Sequence, residues 1–251
     1  MARLVRGGDG TAQADAMIDL IGQAVMHEGT CLLAFHRNAP PDVLHHTLEP
    51  EGEKHYLDRY LAGPYLLDPL YQIAMARPDS VVCRFREESP DRFRSSEYYR
   101  QYCDRTHLLD EMDFLIEVSD STALALVVGR RTRMFTKVEL QRLRLISGVV
   151  FAAMQNIWQR WAEREDAAPR DYNLHRRLTR TFESFGAETL TQREREITQL
   201  LLRGHSTKSI ARELDIAPGT VMVHKRNLFG KLDISSQYEL FSLFIDELSR
   251  F

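Results

Sequence analysis

LTQREREITQLLLRGHSTKSIARELDIAPGTVMVHKRNLFGKL, residues 190–232, reads as three helices joined by short turns. Thr191 and Glu194 have the spacing of a capping box. Ile197, Leu200 and Leu201 give the first helix its buried stripe, and Gly204 stops it. Thr207 to Leu214 reads as a short second helix with Ile210, Ala211 and Leu214 inward. Asp215 to Gly219 reads as a tight turn, after which Thr220 caps a third helix running to about Leu232. Ser235 or Ser236 caps a fourth, to about Leu248. The second and third helices, joined by a short turn, are a helix-turn-helix.

The third helix carries the functional signal. Val221, Leu228 and Leu232, spaced by seven and four, share the face that packs on the first two helices. Met222, Val223 and Arg226 share the opposite face. Between Gly219 and Lys231 there are basic residues at Lys225, Arg226 and Lys231 and no acidic ones. Such a helix fits the major groove of B-DNA. Arg226 suits a bidentate contact to guanine, and Met222 and Val223 suit thymine methyls. Thr220, Lys225, Asn227 and Lys231 are placed for phosphates, which fix register without reading sequence. Thr207 and Lys208, at the start of the second helix, complete the expected DNA-binding set.

The remainder of the chain is unremarkable in bulk. It has 251 residues, a net charge of −3 and an apolar fraction ordinary for a globular protein. Any DNA footprint must therefore be local. Cys31, Cys83 and Cys103 are too few and too scattered for a disulfide framework or a zinc site, which fits a reducing compartment. There is no secretory signal pattern, and the longest apolar runs are too short to span a bilayer. A cytoplasmic protein without membrane contact, metal or cofactor is expected.

Working toward the N-terminus, Tyr172 to Phe185 reads as a further helix within a connecting stretch. Thr136 and Glu139 form a second capping box, starting a long helix to about Trp161. Met112 to Val118 and Ala123 to Gly129 read as a hairpin. Ser95 to Arg105 reads as a helix, Ser80 to Arg84 and Thr30 to His36 as strands, and Glu53 to Leu61 and Ala12 to His27 as helices. Asp68 caps a short helix opened by Pro69. His45, His46 and His55 fall in an expected loop, and Glu111 and Asp113 read as solvated or capping. The order predicts an α+β chain. An N-terminal α/β/α sandwich around an antiparallel sheet of about five strands (residues 1–161, sensing and dimerisation) leads through a linker (162–187) to an all-α four-helix DNA-binding domain (188–251).

The quoted segment resembles the LuxR-type helix-turn-helix of bacterial transcription regulators. The matching positions include Leu190, Thr191, Arg193, Glu194, Gly204, Lys208, Ile210, Ala211, Leu214, Thr220, Val221, His224, Asn227, Lys231 and Leu232. In that family the positions of Met222, Val223 and Arg226 face base edges. The family usually has lysine where this chain has Met222, so the DNA sequence read is not inherited. The resemblance implies that the fourth helix, with its wide stripe from Leu240 to Leu248, dimerises. The expected partners are double-stranded DNA and a second copy, with RNA polymerase a further candidate.

The segment YLDRYLAGPYLLDPLYQIA is similar to part of the autoinducer-binding domains, where tyrosines and the aspartate line a small-molecule pocket. Those domains carry a tryptophan before the tyrosine. Here the aromatics are Tyr56 and Tyr60, and the tryptophans lie far away at Trp158 and Trp161, which argues against an acyl-homoserine lactone. PDRFRSSEYYRQYCDRTHLLDEMDFLIEV is similar to the GAF-like sensor domains of other LuxR-type regulators. A pocket lined by Tyr56, Tyr60, Tyr65, Asp68, Tyr99, Cys103 and Phe114 is expected, suited to a cationic or polar nitrogen-containing metabolite.

Two other classes are weighed. A phosphorylated response regulator with the same DNA-binding end needs an acidic pair after its first strand, but His36, Arg37 and Asn38 follow here. An enzyme needs a nucleophile elbow, phosphate loop, HExxH or Cys–His arrangement, and none is present.

Overall fold

The computed structural model of the chain describes residues 9–48, 57–76, 80–104, 107–163 and 172–249. Its first half is built on an antiparallel sheet of five strands. These are β1 (Gly29–His36), β2 (Asp42–His46), β3 (Val81–Arg84), β4 (Asp110–Ser119) and β5 (Thr122–Arg130), in the order β2-β1-β5-β4-β3. The β4–β5 hairpin turns tightly, pairing Ser119 with Thr122. β5 then takes β1 on its free edge, in a register running from Gly29 opposite Gly129 to His36 opposite Thr122. Central β5 is apolar at almost every position because both sheet faces are covered. Leu124, Leu126 and Val128 pack toward α1 (Asp9–Ala24) and the long α3 (Lys137–Ala162). Ala123 and Ala125 face the other way, toward α2 (Pro69–Ala76) and the rings of Tyr60, Tyr65 and Tyr71.

The expected α+β sandwich is thus present, and its antiparallel sheet is not the parallel one a phosphorylated receiver domain requires. The strand the sequence reading leaves out is β2, which carries His45 and His46. Only Val43 and Leu44 in it are apolar, so its alternation is weak. Pairing with β1 across a bulge at Leu32/Leu33 holds it at the sheet edge. The helix expected over Ser95–Arg105 is instead a 3-10 turn (Phe93–Ser95) followed by a π-helical turn (Tyr99–Cys103), with Ser96 Oγ accepting from the Tyr99 amide. Residues 57–61 are helical, and the rest of the Glu53–Leu61 stretch lies outside the described residues.

The capping box of α3 forms, and Glu139 does more than cap. Its carboxylate receives both guanidinium nitrogens of fully buried Arg130, at 3.1 and 2.6 Å, and one or more bonds from Arg133 and Thr136. The Arg130 bonds hold the Glu139 carboxyl far below the usual range. Arg130 also donates to the Met26 carbonyl and lies over the Phe135 ring. One buried cation therefore joins the end of β5, the loop after α1 and the start of α3.

The C-terminal part holds α5 (Gln192–Leu202), α6 (Thr207–Glu213), α7 (Pro218–Lys231) and α8 (Gln237–Ser249). α7 starts earlier than the sequence reading places it. Ala217 is its N-cap and Pro218 its first residue, so Thr220 lies inside the first turn and does not cap. Proline suits that position because its missing N–H has no helical partner there.

The connecting stretch 162–187 contains α4 (Tyr172–Ser184), and this helix is packed on both halves. His175 Nε2–H donates to the Arg37 carbonyl at 2.9 Å, which leaves Nδ1 to accept the Tyr65 hydroxyl proton at 2.7 Å. Leu178 belongs to the core under Tyr65 and Tyr71, and Phe182 to the core of the C-terminal helices. Burial is the main cause that holds the His175 pKa below its ordinary value. The folded state prefers neutral His175, so its contribution is complete above pH 6.5 and is lost as the pH falls below that. Tyr65→Phe leaves a buried Nδ1 without a donor, and urea unfolding should show a loss of about 1–3 kcal/mol. A variant within about 0.3 kcal/mol of wild type would show that this bond contributes nothing.

Candidate nucleic-acid interface and ligand cavity

On α7, Val221 and Leu228 are completely buried against α5 and α6, while Met222 is 63% and Val223 47% exposed. Arg226 and Asn227 are exposed beside them, as are Thr220 and, on α6, Lys208; Thr207 is half-buried. Two large apolar side chains next to a free guanidinium form a surface that only contact with another molecule would cover.

Two of the expected phosphate contacts have other partners. Lys231 Nζ lies 2.7 Å from Glu194, which is only 3% exposed. Burial would raise the Glu194 carboxyl, but Lys231 and the Thr191 capping bonds outweigh it and hold it below the ordinary range. Lys231 therefore closes the helix bundle. Lys225 is half-buried over the Phe229 ring at 5.3 Å, and burial, followed by the nearby Arg92 charge, lowers its pKa.

Arg92 belongs to a segment of the first half that sits on the helix-turn-helix. Asp91 accepts from the Ser206 amide at 2.9 Å and from the Ser206 hydroxyl, while Ser206 itself caps α6. The Arg92 amide donates to the Gly204 carbonyl at 3.1 Å. Gly204 has φ +92°, and a Cβ there would stand 3.0 Å from the Phe93 Cα, so both its conformation and its neighbour demand glycine. Phe93 and Tyr98 enter the same core as Ile197, Val221 and Phe244. The wide stripe of α8 is used within the chain: Leu240, Phe241 and Phe244 are buried, Phe182 and Phe185 pack edge-on against Phe244, and Leu248 reaches the core beneath the sheet. Tyr238 and Leu243 stay exposed.

The cavity lies on the sheet face opposite α1 and α3. Gly29 stands opposite Gly129, which stands opposite Glu111, and Cys31 stands opposite Val127 in the next row of that face. Between these strands and the segments that roof them lies a void of about 570 Å³. Tyr60, Asp68, Tyr99 and Cys103 line it, as expected, together with Leu57, Phe85, Phe93 and Glu111. Asp68 is both cap and wall: Oδ1 accepts from the Leu70 amide at 2.9 Å and Oδ2 from the Tyr60 hydroxyl at 2.8 Å. Arg86, Arg94 and Arg131 reach its exposed rim.

Two expected lining residues are not brought there. Phe114 points to the opposite face of β4 and packs on Phe151, because strand neighbours alternate and Glu111 and Asp113 hold the cavity face. Tyr65 lies in the core against His175 and does not line the void. Tyr56 falls outside the described residues.

The reading also missed residues. Asp113 is not solvated but completely buried, and Glu111 is half-buried on the cavity wall. The signal was present: on a strand whose Met112, Phe114 and Ile116 face one core, the alternate residues face the other covered side. Asp91 to Phe93 carried no signal, because a contact between halves has no local pattern.

The chain was compared with known proteins. Residues 188–244 match the family model described as bacterial regulatory proteins, luxR family. An HTH-type transcriptional regulator encoded in the exeN 3′ region of Aeromonas salmonicida is 33% identical over 157 residues, 61% of this chain and 80% of that protein. The monoamine regulon transcriptional regulator of Klebsiella aerogenes is 26% identical over 206 residues, covering 82% of this chain and 78% of that one. Among solved structures, the VqsR LBD domain from Pseudomonas aeruginosa superposes with a TM-score of 0.54 at 22% identity, over 60% of this chain and 88% of that one, which shows a shared fold for the first half. With the helix-turn-helix geometry and these matches together, the chain belongs to the luxR family of bacterial transcription regulators.

Proposed function

We propose that this DNA-binding regulator answers to a small ligand held in the sensor cavity and reads a specific sequence with the outer face of α7. Residues 1–161 sense and dimerise, 162–187 connect, and 188–251 bind DNA. Met222, Val223 and Arg226 face the bases, and Thr207, Lys208, Thr220 and Asn227 face phosphates. The observation that carries the reading is the exposure of Met222 and Val223 opposite fully buried Val221 and Leu228, with Arg226 free beside them.

A gel shift on the upstream region of the gene itself tests this. Arg226→Ala should weaken specific binding by about 1–3 kcal/mol and leave the fold intact. Lys231→Met should do the reverse. It strips the cation from buried Glu194 and lowers the unfolding free energy by about 1 kcal/mol, a modest figure because Lys231 is 39% exposed. Unchanged affinity in Arg226→Ala would remove the proposed reading face.

The binding unit is a homodimer. On α3, Val138, Leu145 and Val149 follow one another at spacings of seven and four and are 57%, 85% and 63% exposed. A two-fold partner buries such a stripe against its own copy. Leu145→Glu should shift the sedimenting species from dimer to monomer, and an unchanged dimer would place the interface elsewhere.

A further inference from the structure

We infer that Arg92, in the first half of the chain, contacts a DNA phosphate beside α7, so that the docked first half is itself part of the DNA-binding surface. This rests on the reading of α7 as the helix in the major groove and adds a contact from outside residues 188–251.

A helix in the major groove has a phosphate chain along each flank. At about 100° per residue, Thr220 and Asn227 border the reading face of α7 on one side, and Lys225 and Phe229 border it on the other. Thr220 and Asn227 are exposed and supply the first flank with a hydroxyl and an amide. The second flank is served less well from within α7. Lys225 is half-buried there, with its ammonium group engaged by the Phe229 ring at 5.3 Å.

Arg92 stands at this second flank, and its side chain is exposed. Burial, and after it the Arg92 charge, lowers the Lys225 pKa, which sets the two cations within electrostatic reach of each other. No ion pair joins Arg92 to a carboxylate among the described residues. Asp91, its neighbour in the chain, turns both carboxylate oxygens to Ser206, and Glu97 lies 2.5 Å from Arg100. Like charges repel, and a phosphate within reach of both converts that repulsion into attraction.

The position of Arg92 is fixed by its main chain. Its amide donates to the Gly204 carbonyl at 3.1 Å, Asp91 before it accepts from the Ser206 amide at 2.9 Å, and Phe93 after it is buried in the core that holds Val221 and Leu228. A guanidinium carried on backbone that is already ordered loses less entropy on meeting a phosphate than one on a loose loop. With this stretch docked, Met222 and Val223 are still 63% and 47% exposed, so docking leaves the reading face open to the groove.

Gel shifts with the full chain test this on two duplexes, the upstream region of the gene itself and a shuffled sequence of the same length, over a range of salt. Arg92→Ala should weaken binding to both duplexes by a similar factor, about threefold or more, because a phosphate contact carries no sequence information. The slope of log affinity against log salt should shrink by about 0.9 for each bound copy. Arg92→Lys should restore most of both. Arg160→Ala removes the same charge from an exposed position near the end of α3, on the other face of the sheet, and should stay within about twofold of wild type. The clasp is made by the Arg92 main chain, so these variants should keep the wild-type thermal unfolding. Should Arg92→Ala fail to fold, Arg92→Gln is read by the same criteria. Unchanged affinity and slope in Arg92→Ala, beside a loss in Arg226→Ala, would overturn the Arg92 contact and leave the reading face standing. Tighter binding by Arg92→Ala, or an equal loss in Arg160→Ala, would also overturn it. Undiminished binding in both Arg92→Ala and Arg226→Ala would overturn both.

Discussion

Leu178 and Phe182 are one helical turn apart on α4 and belong to different cores. Leu178 packs with Tyr65, Tyr71 and Leu115 beneath the sheet, and Phe182 with Phe244 and the C-terminal helices. The described part of the connection is consequently a helix with an anchor in each half. The His175 bonds to Tyr65 and the Arg37 carbonyl fix its rotation, because a neutral imidazole with one donor and one acceptor fits those partners in one way only. The placement of α7 relative to the sheet rests on that anchor together with the Asp91–Ser206 and Arg92–Gly204 bonds.

Each of the two ends of the chain was legible to a different degree. The helix-turn-helix was readable almost in full, since caps, glycine stop and apolar spacing are local signals: Thr191, Ser236 and Gly204 act where their spacing put them. Thr220 went astray because Pro218 is an equally good opening and needs no side-chain cap. The β4–β5 hairpin and the α3 capping box were readable for the same reason. β2 was not, since an edge strand with two apolar residues is specified by its partner rather than by its own pattern.

The cavity was half legible. Tyr60, Asp68, Tyr99 and Cys103 converge as aromatic and acidic residues near an Asp-Pro suggested. Gly29, with open space above it, and Gly129, with Leu108 packed close over it, also line the cavity, and an absent side chain leaves little trace in a sequence until the strands are paired. The same pairing turned Asp113 from an expected surface acid into a fully buried one, set Glu111 half-buried on the cavity wall, and moved Phe114 to the other face.

Asp91, Arg92 and Phe93 are consecutive. Asp91 and Phe93 line the cavity, while Asp91 holds Ser206 and Arg92 holds Gly204 of the helix-turn-helix. Wall and clasp are one stretch of backbone. A molecule that binds the cavity more tightly when this stretch is undocked must loosen the clasp by the same free energy, and DNA that prefers the docked stretch must weaken the cavity's grip on that molecule by an identical factor. Reciprocity of this kind needs no long relay through the protein: here the two equilibria meet within three residues.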